Sequence, residues 1–179
     1  SDRLYETSVV DSQVPQVAEA TPAPQDLALL MYTSGTTGVP KGVMLTQANL
    51  AANAQAISAE HALGPQDRVL AVLPLFHINA FAVTMLAPLA HGGSLVMPPR
   101  FSASAFWGQA LGSGCTWINL VPTMIAFLLE GEGPPQQAAQ GLRFCRSASS
   151  ALPVEHLRAF EQRFGIGVVE TMGLTETVA

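Results

Sequence analysis

Hydrophobic positions in this chain fall in short runs separated by small and polar residues. Leu27-Ala28-Leu29-Leu30-Met31-Tyr32 is a continuous apolar run ending at a Gly/Thr cluster, which predicts a buried strand. Val43-Met44-Leu45 predicts a second, short strand. Residues 49–63 are Ala-rich with few breakers and predict a helix, capped by Thr46 or Asn49. From there the periods alternate. Strands are expected over 68–73, 94–97, 116–120, 142–146 and 166–169, and helices over 79–90, 102–111, 122–129 and 153–164. Ser102 or Ser104 would cap the second of these helices, and Pro122 lies in the first turn of the third. In the last, Leu157, Phe160 and Phe164 share one face, and Gly165 ends it. This rhythm predicts an α/β fold with a mainly parallel sheet and flanking helices. Residues 1–25, with Pro15, Pro22 and Pro24, are expected to form an extended lead-in. Residues 26–179 carry the core-forming pattern.

Composition sharpens this picture at one point. Charged residues make up 12% of the 179, about half the usual share. The 61 positions between Arg68 and Glu130 hold one charge, Arg100. A disordered chain is excluded by 49% hydrophobic content. With a net charge of −5 and eight scattered basic residues, no nucleic-acid partner is expected. Residues 69–99 carry no charge but are cut by Pro74, His77, Asn79, Pro88, His91 and Gly92-Gly93, so no transmembrane segment is expected. Ser1-Asp2-Arg3 is polar, and no apolar signal segment is expected there. Cys115 and Cys145 lie in apolar surroundings, and one pair is no disulfide framework, so reduced core thiols and a cytoplasmic protein are expected.

The densest chemistry follows the first strand, in Thr33-Ser34-Gly35-Thr36-Thr37-Gly38-Val39-Pro40-Lys41-Gly42. Glycines let successive backbone N–H groups converge on an anion, and the hydroxyls of Thr33, Ser34, Thr36 and Thr37 add donors. Lys41 is the chain's only lysine, a compact charge suited to phosphate oxygens. The nucleoside-triphosphatase P-loop is excluded, because Pro40 and Gly42 stand where it needs Gly and Ser/Thr.

This segment resembles the signature loop of the adenylate-forming (AMP-binding) enzyme superfamily, Thr-Ser-Gly-Thr-Thr-Gly-x-Pro-Lys-Gly, and matches it throughout. Three further segments resemble family elements in the family's order. Leu73-Pro74-Leu75-Phe76-His77-Ile78-Asn79-Ala80 is similar to the Pro-x-Phe-His segment that lines the acyl pocket of CoA ligases, which implies substrate contacts at Phe76 and His77. Ser147-Ala148-Ser149-Ser150-Ala151-Leu152-Pro153 is similar to a small-residue turn that packs on adenine, commonly Gly-Gly-Ala-Pro. Glu170-Thr171-Met172-Gly173-Leu174-Thr175-Glu176 is similar to Tyr-Gly-x-Thr-Glu, with Met172 in place of the Tyr.

The resemblance implies part of the large N-terminal domain of an adenylate-forming enzyme, with the mobile C-terminal domain outside residues 26–179. It further implies ATP, Mg²⁺ and coenzyme A as cofactors. Residues 33–38 and Lys41 would hold the β- and γ-phosphates. Ser149, Ser150 and Ala151, with Thr171, Met172 and Gly173, would border the nucleotide. Thr175 would meet a phosphate, and Glu176 would hold the metal. Lys41, Thr175 and Glu176 are the catalytic candidates. The implied activity is an acid–thiol ligase of the acyl-CoA synthetase type, acting on a fatty or aryl acid in fatty acid metabolism. The 179 residues alone are expected to be incomplete for turnover. No acid side chain lies between Asp67 and Glu130, so a substrate ammonium would lack a counter-charge and an acid without an α-amino group is favoured. An adenylation domain loading a carrier protein and a non-catalytic nucleotide-binding module are the rival readings.

Overall fold

A computed structural model describes residues 21–33, 38–134 and 138–178. Ser34, Gly35, Thr36 and Thr37 of the signature loop, and residues 1–20 of the lead-in, lie outside the described residues.

Among the described residues, seven strands form two sheets. Strands β1 (Leu27–Thr33) and β2 (Lys41–Thr46) pair as an antiparallel hairpin. The other five are β3 (Arg68–Leu70), β4 (Ser94–Val96), β5 (Trp117–Leu120), β6 (Phe144–Ser147) and β7 (Val168–Glu170). They make a parallel sheet in the order β4-β3-β5-β6-β7. The expected α/β class with a parallel sheet is therefore present. Chain order reverses between β3 and β5, and in open α/β sheets the crevice beyond the carboxyl ends at such a switch is where ligands bind.

Helices cover both faces, because side chains alternate along each strand. Ile118, Leu120 and Cys145 join Phe106 and Trp107 of α3 (Ala103–Gly112), Ile125 and Leu128 of α4 (Pro122–Glu130), and Phe160 and Phe164 of α5 (Val154–Phe164). On the opposite face Val69 and Trp117 pack on Ile57 of α1 (Gln47–Glu60), Val83, and Ala87 of α2 (Ala87–His91). Cys115 and Cys145 are both free and buried. Among the described residues, no helix is long and apolar enough to cross a membrane.

Strand β3 ends at Leu70 rather than at residue 73, Ser102 precedes α3 without a side-chain cap hydrogen bond, and three larger expectations change. The first strand is not fully buried: Met31 faces Leu45, Leu50 and Ile78, whereas Leu30, Tyr32 and Met44 lie exposed on the other side. A hairpin packed by one face buries alternate residues only, so its apolar run does not report burial on both sides. Second, helix α1 starts two residues early. Thr46 Oγ1 accepts the Asn49 N–H at 3.2 Å while Asn49 Oδ1 accepts the Thr46 N–H at 3.0 Å, a reciprocal cap. Third, the helix expected over 79–90 is wound as a π-helix over Asn79–Leu86 before continuing as α2. Pro88 has no N–H to give the Thr84 carbonyl, and its ring would crowd that carbonyl in a continuous α-helix. The Ala87 N–H instead reaches the Ala82 carbonyl, and Gly92, at φ 75°, closes the turn.

Candidate active site

The carboxyl ends of the parallel strands open onto a cleft of about 890 Å³. Each wall has a separate origin in the fold. Leu73 to Asn79 leave β3, Val121 and Met124 follow β5, Ala148 and Ser149 follow β6, and Gly173 to Glu176 follow β7. The hairpin supplies Met31, Tyr32, Thr33 and Lys41. Thr33 and Lys41 are paired across the ladder, so the two anchors of the signature loop stand side by side at the cleft. A second cavity, about 490 Å³, adjoins through Ser149 and Gly173 and is bordered by Ser150, Ala151, Glu170, Thr171 and Met172.

Eight residues singled out in the sequence thus line one cleft: Thr33, Lys41, Phe76, His77, Ser149, Gly173, Thr175 and Glu176. Gly38 sits at φ 78°, a backbone that glycine adopts without strain, and borders neither cavity. Phe76 and His77 are exposed, with ring centroids 4.5 Å apart. Met172 is 93% exposed at the rim of the second cavity. Ser149 adopts φ 79°, a left-handed backbone that costs a non-glycine residue energy and recurs at functional sites.

Four further residues shape this end of the sheet without belonging to any of the motifs' assigned roles. Glu170 Oε1 accepts the Leu152 N–H at 2.7 Å, tying the turn after β6 to the end of β7. Asn79, Asn119 and Arg146 form a buried polar cluster beneath the first cleft. Arg146 Nη1 donates to Asn79 Oδ1 at 2.8 Å and to Asn119 Oδ1 at 3.3 Å, and Asn119 Nδ2 donates to the same Asn79 oxygen at 3.2 Å. An arginine inside the strand Phe144-Cys145-Arg146-Ser147 was the available signal.

As to metal, no cluster of three or more His, Cys, Asp or Glu occurs among the described residues. Glu176, exposed and lining the same cleft as Thr175 and Lys41, is the one carboxylate among the described lining residues. That donor set suits Mg²⁺, which commonly takes one or two carboxylates together with waters and substrate phosphates.

The model for the AMP-binding enzyme family matches residues 1–179. The chain belongs to the AMP-binding enzyme family. It is 68% identical over 158 residues to a sulfoacetate–CoA ligase of Cupriavidus necator, covering 88% of this chain and 31% of that protein. It is 37% identical over 179 residues to an oxalate–CoA ligase of Arabidopsis thaliana, covering 98% of this chain and 35% of that one. Among solved structures it resembles a malonyl-CoA ligase in a ternary product complex with methylmalonyl-CoA and AMP bound. The TM-score is 0.80 at 35% identity, over 88% of this chain and 35% of that one. This AMP-binding chain therefore spans about a third of the length of the relatives it matches.

Proposed function

We propose that the parent protein is an ATP-dependent carboxylate–CoA ligase, and that residues 26–179 are a portion of its N-terminal domain. One observation carries the reading. Thr33 and Lys41 of the hairpin and Thr175 and Glu176 beyond β7 share a cleft with Phe76 and His77, and a smaller cavity adjoins it at the Ser149 turn. The signature loop with Lys41 would take the β- and γ-phosphates, and Thr171 to Gly173 with Ser149 to Ala151 the adenosine end. The acid would lie toward Phe76 and His77. Its carboxylate oxygen attacks the α-phosphorus, the bond to the bridging oxygen breaks, and pyrophosphate leaves. The thiol of coenzyme A then displaces AMP from the acyl carbon.

Lys41 holds positive charge where the leaving pyrophosphate becomes more negative, and Thr175 fixes a phosphate oxygen. This is positioning and electrostatic stabilisation, with no side-chain nucleophile. Mg²⁺, when bound at Glu176, would supply further charge neutralisation.

For the acid, likeness to the sulfoacetate and oxalate ligases favours a short molecule with a second anionic group over a fatty or aryl acid, since sulfoacetate and oxalate are both small dianions. The test is a panel of malonate, sulfoacetate, oxalate, butyrate, octanoate and benzoate with full-length protein, ATP and coenzyme A. Pyrophosphate release and the acyl-CoA product are followed together. Turnover is expected with the short dianions. Absence of acid-dependent pyrophosphate release overturns the ligase reading, and preference for octanoate or benzoate overturns the acid class. Pyrophosphate release without an acyl-CoA product would point to another acceptor, such as a carrier protein.

A further inference from the structure

Arg146 is 4% exposed in the third position of β6. Among the described residues the one salt bridge is Arg143–Asp67, so Arg146 has no carboxylate partner there. Its Nε is buried without an acceptor, and its hydrogen bonds run only to the neutral carboxamides of Asn79 and Asn119. Burial draws its pKa down to about 10, which leaves it charged at neutral pH. A buried cation that meets only carboxamides is costly, and an anion nearby would offset that cost.

Asn79 connects this charge to the cleft. Its Oδ1 must face the guanidinium, which can only donate, and it accepts from both Arg146 and Asn119. That fixes the amide the other way round. Asn79 Nδ2 points to Ser149 Oγ at 3.3 Å, and both residues line the cleft. Asn79 also opens the π-helix, a distortion common at functional sites. The acid-facing wall, formed by His77, Asn79, Val121, Met124 and Ser149, contains no carboxylate.

We propose that Arg146 is a positioning residue that, through Asn79 and Asn119, selects acids bearing a second, unreactive anionic group, a carboxylate or sulfonate seated against Asn79 Nδ2 and Ser149 Oγ. The inference rests on the proposed function for the location of the acid. It is tested on full-length protein with malonate, which has the second carboxylate, and butyrate, which lacks it. Calorimetric titration reads binding of each acid directly, without turnover.

In Arg146→Met, malonate affinity falls about 30-fold or more and butyrate affinity less than about threefold. Arg146→Lys restores malonate to within about tenfold of the parent, because charge returns without the planar fork. Asn79→Ala, which removes the amide that would meet the second anion, lowers malonate affinity about tenfold more than butyrate affinity. A purely structural arginine would move both acids equally. Equal losses in Arg146→Met or Asn79→Ala, or a parent that binds butyrate as well as malonate, overturn the proposal. A parent that binds malonate in this way but releases no pyrophosphate with ATP leaves Arg146 assigned and overturns the ligase reading instead.

Discussion

Two arginines three positions apart on the same segment, one just before β6 and one within it, have unlike surroundings. Arg143, just before β6, meets Asp67 Oδ1 at 2.7 Å and the carbonyls of His61 and Ala62 at 3.1 and 3.2 Å. Asp67 also accepts from Gly64 N–H and Thr116 Oγ1. This amino-end cluster is closed: charge meets charge and the surrounding donors are used. Arg146, inside β6, has two carboxamides and an unpartnered Nε beneath the cleft. The first arrangement fastens the loops before β3, β5 and β6. The second leaves positive charge where strands of this topology present ligands. A cation's role here is therefore read from the electrostatic completeness of its site.

The largest expected effect is at the open end. In the full-length parent, Lys41→Ala or Glu176→Ala should lower adenylate formation about 10-fold or more, read by pyrophosphate exchange. Both side chains are exposed, so the melting temperature should stay near the parent's. Unchanged exchange in both variants would remove the catalytic assignment from the carboxyl end.

At the closed end, Asp67→Ala should act on stability instead. It strips partners from Arg143, Gly64 N–H and Thr116, at a cost of about 2–3 kcal/mol, measured as a shift of the urea midpoint. The ratio of malonate to butyrate affinity should not move. A changed ratio with unchanged stability would reverse the division of roles.

The smallest effect is a pH dependence. Burial pushes the Asp67 carboxyl upward, but hydrogen bonds from Arg143, Gly64 N–H and Thr116 outweigh it, and the group sits below its ordinary value. The ionised form is thus favoured by folding. Its contribution is complete above the unfolded value near 4 and is lost as pH falls through the lower native value. Melting temperatures measured from about pH 5 to about pH 3 should fall more steeply in the parent than in Asp67→Asn. Parallel curves would show that the cluster does not couple to protonation.

Much of the fold was legible in the sequence because strand and helix periods differ and Gly, Pro and Thr mark the breaks. Gly165 ends α5 as expected, and Thr46 caps α1. The π-helix was not legible: hydrophobic spacing over 79–90 fits either winding, and Pro88 alone does not say how the chain adapts to it. The half-exposed hairpin was missed because an apolar run looks the same whether one or both of its faces are covered.

For the site, ordered motifs named residues that the structure brings to one cleft and its neighbour, from Thr33 and Lys41 to Thr175 and Glu176. Asn79, Asn119 and Arg146 could not be grouped in advance. They belong to the π-helix, β5 and β6, and their link is a set of hydrogen bonds across 27 to 67 residues of chain.

The sequence by itself determined the α/β alternation, the family and the place of Lys41 in the signature loop, because periodicity and short motifs are local properties of a chain. Tertiary structure decided which charges are neutralised. Arg143 and Arg146 are the same residue type three positions apart, and only the packing of distant segments gives one a carboxylate and leaves the other with carboxamides. Desolvation and hydrogen-bond partners are set in three dimensions, so the split between the fastening arginine and the selecting one arises there.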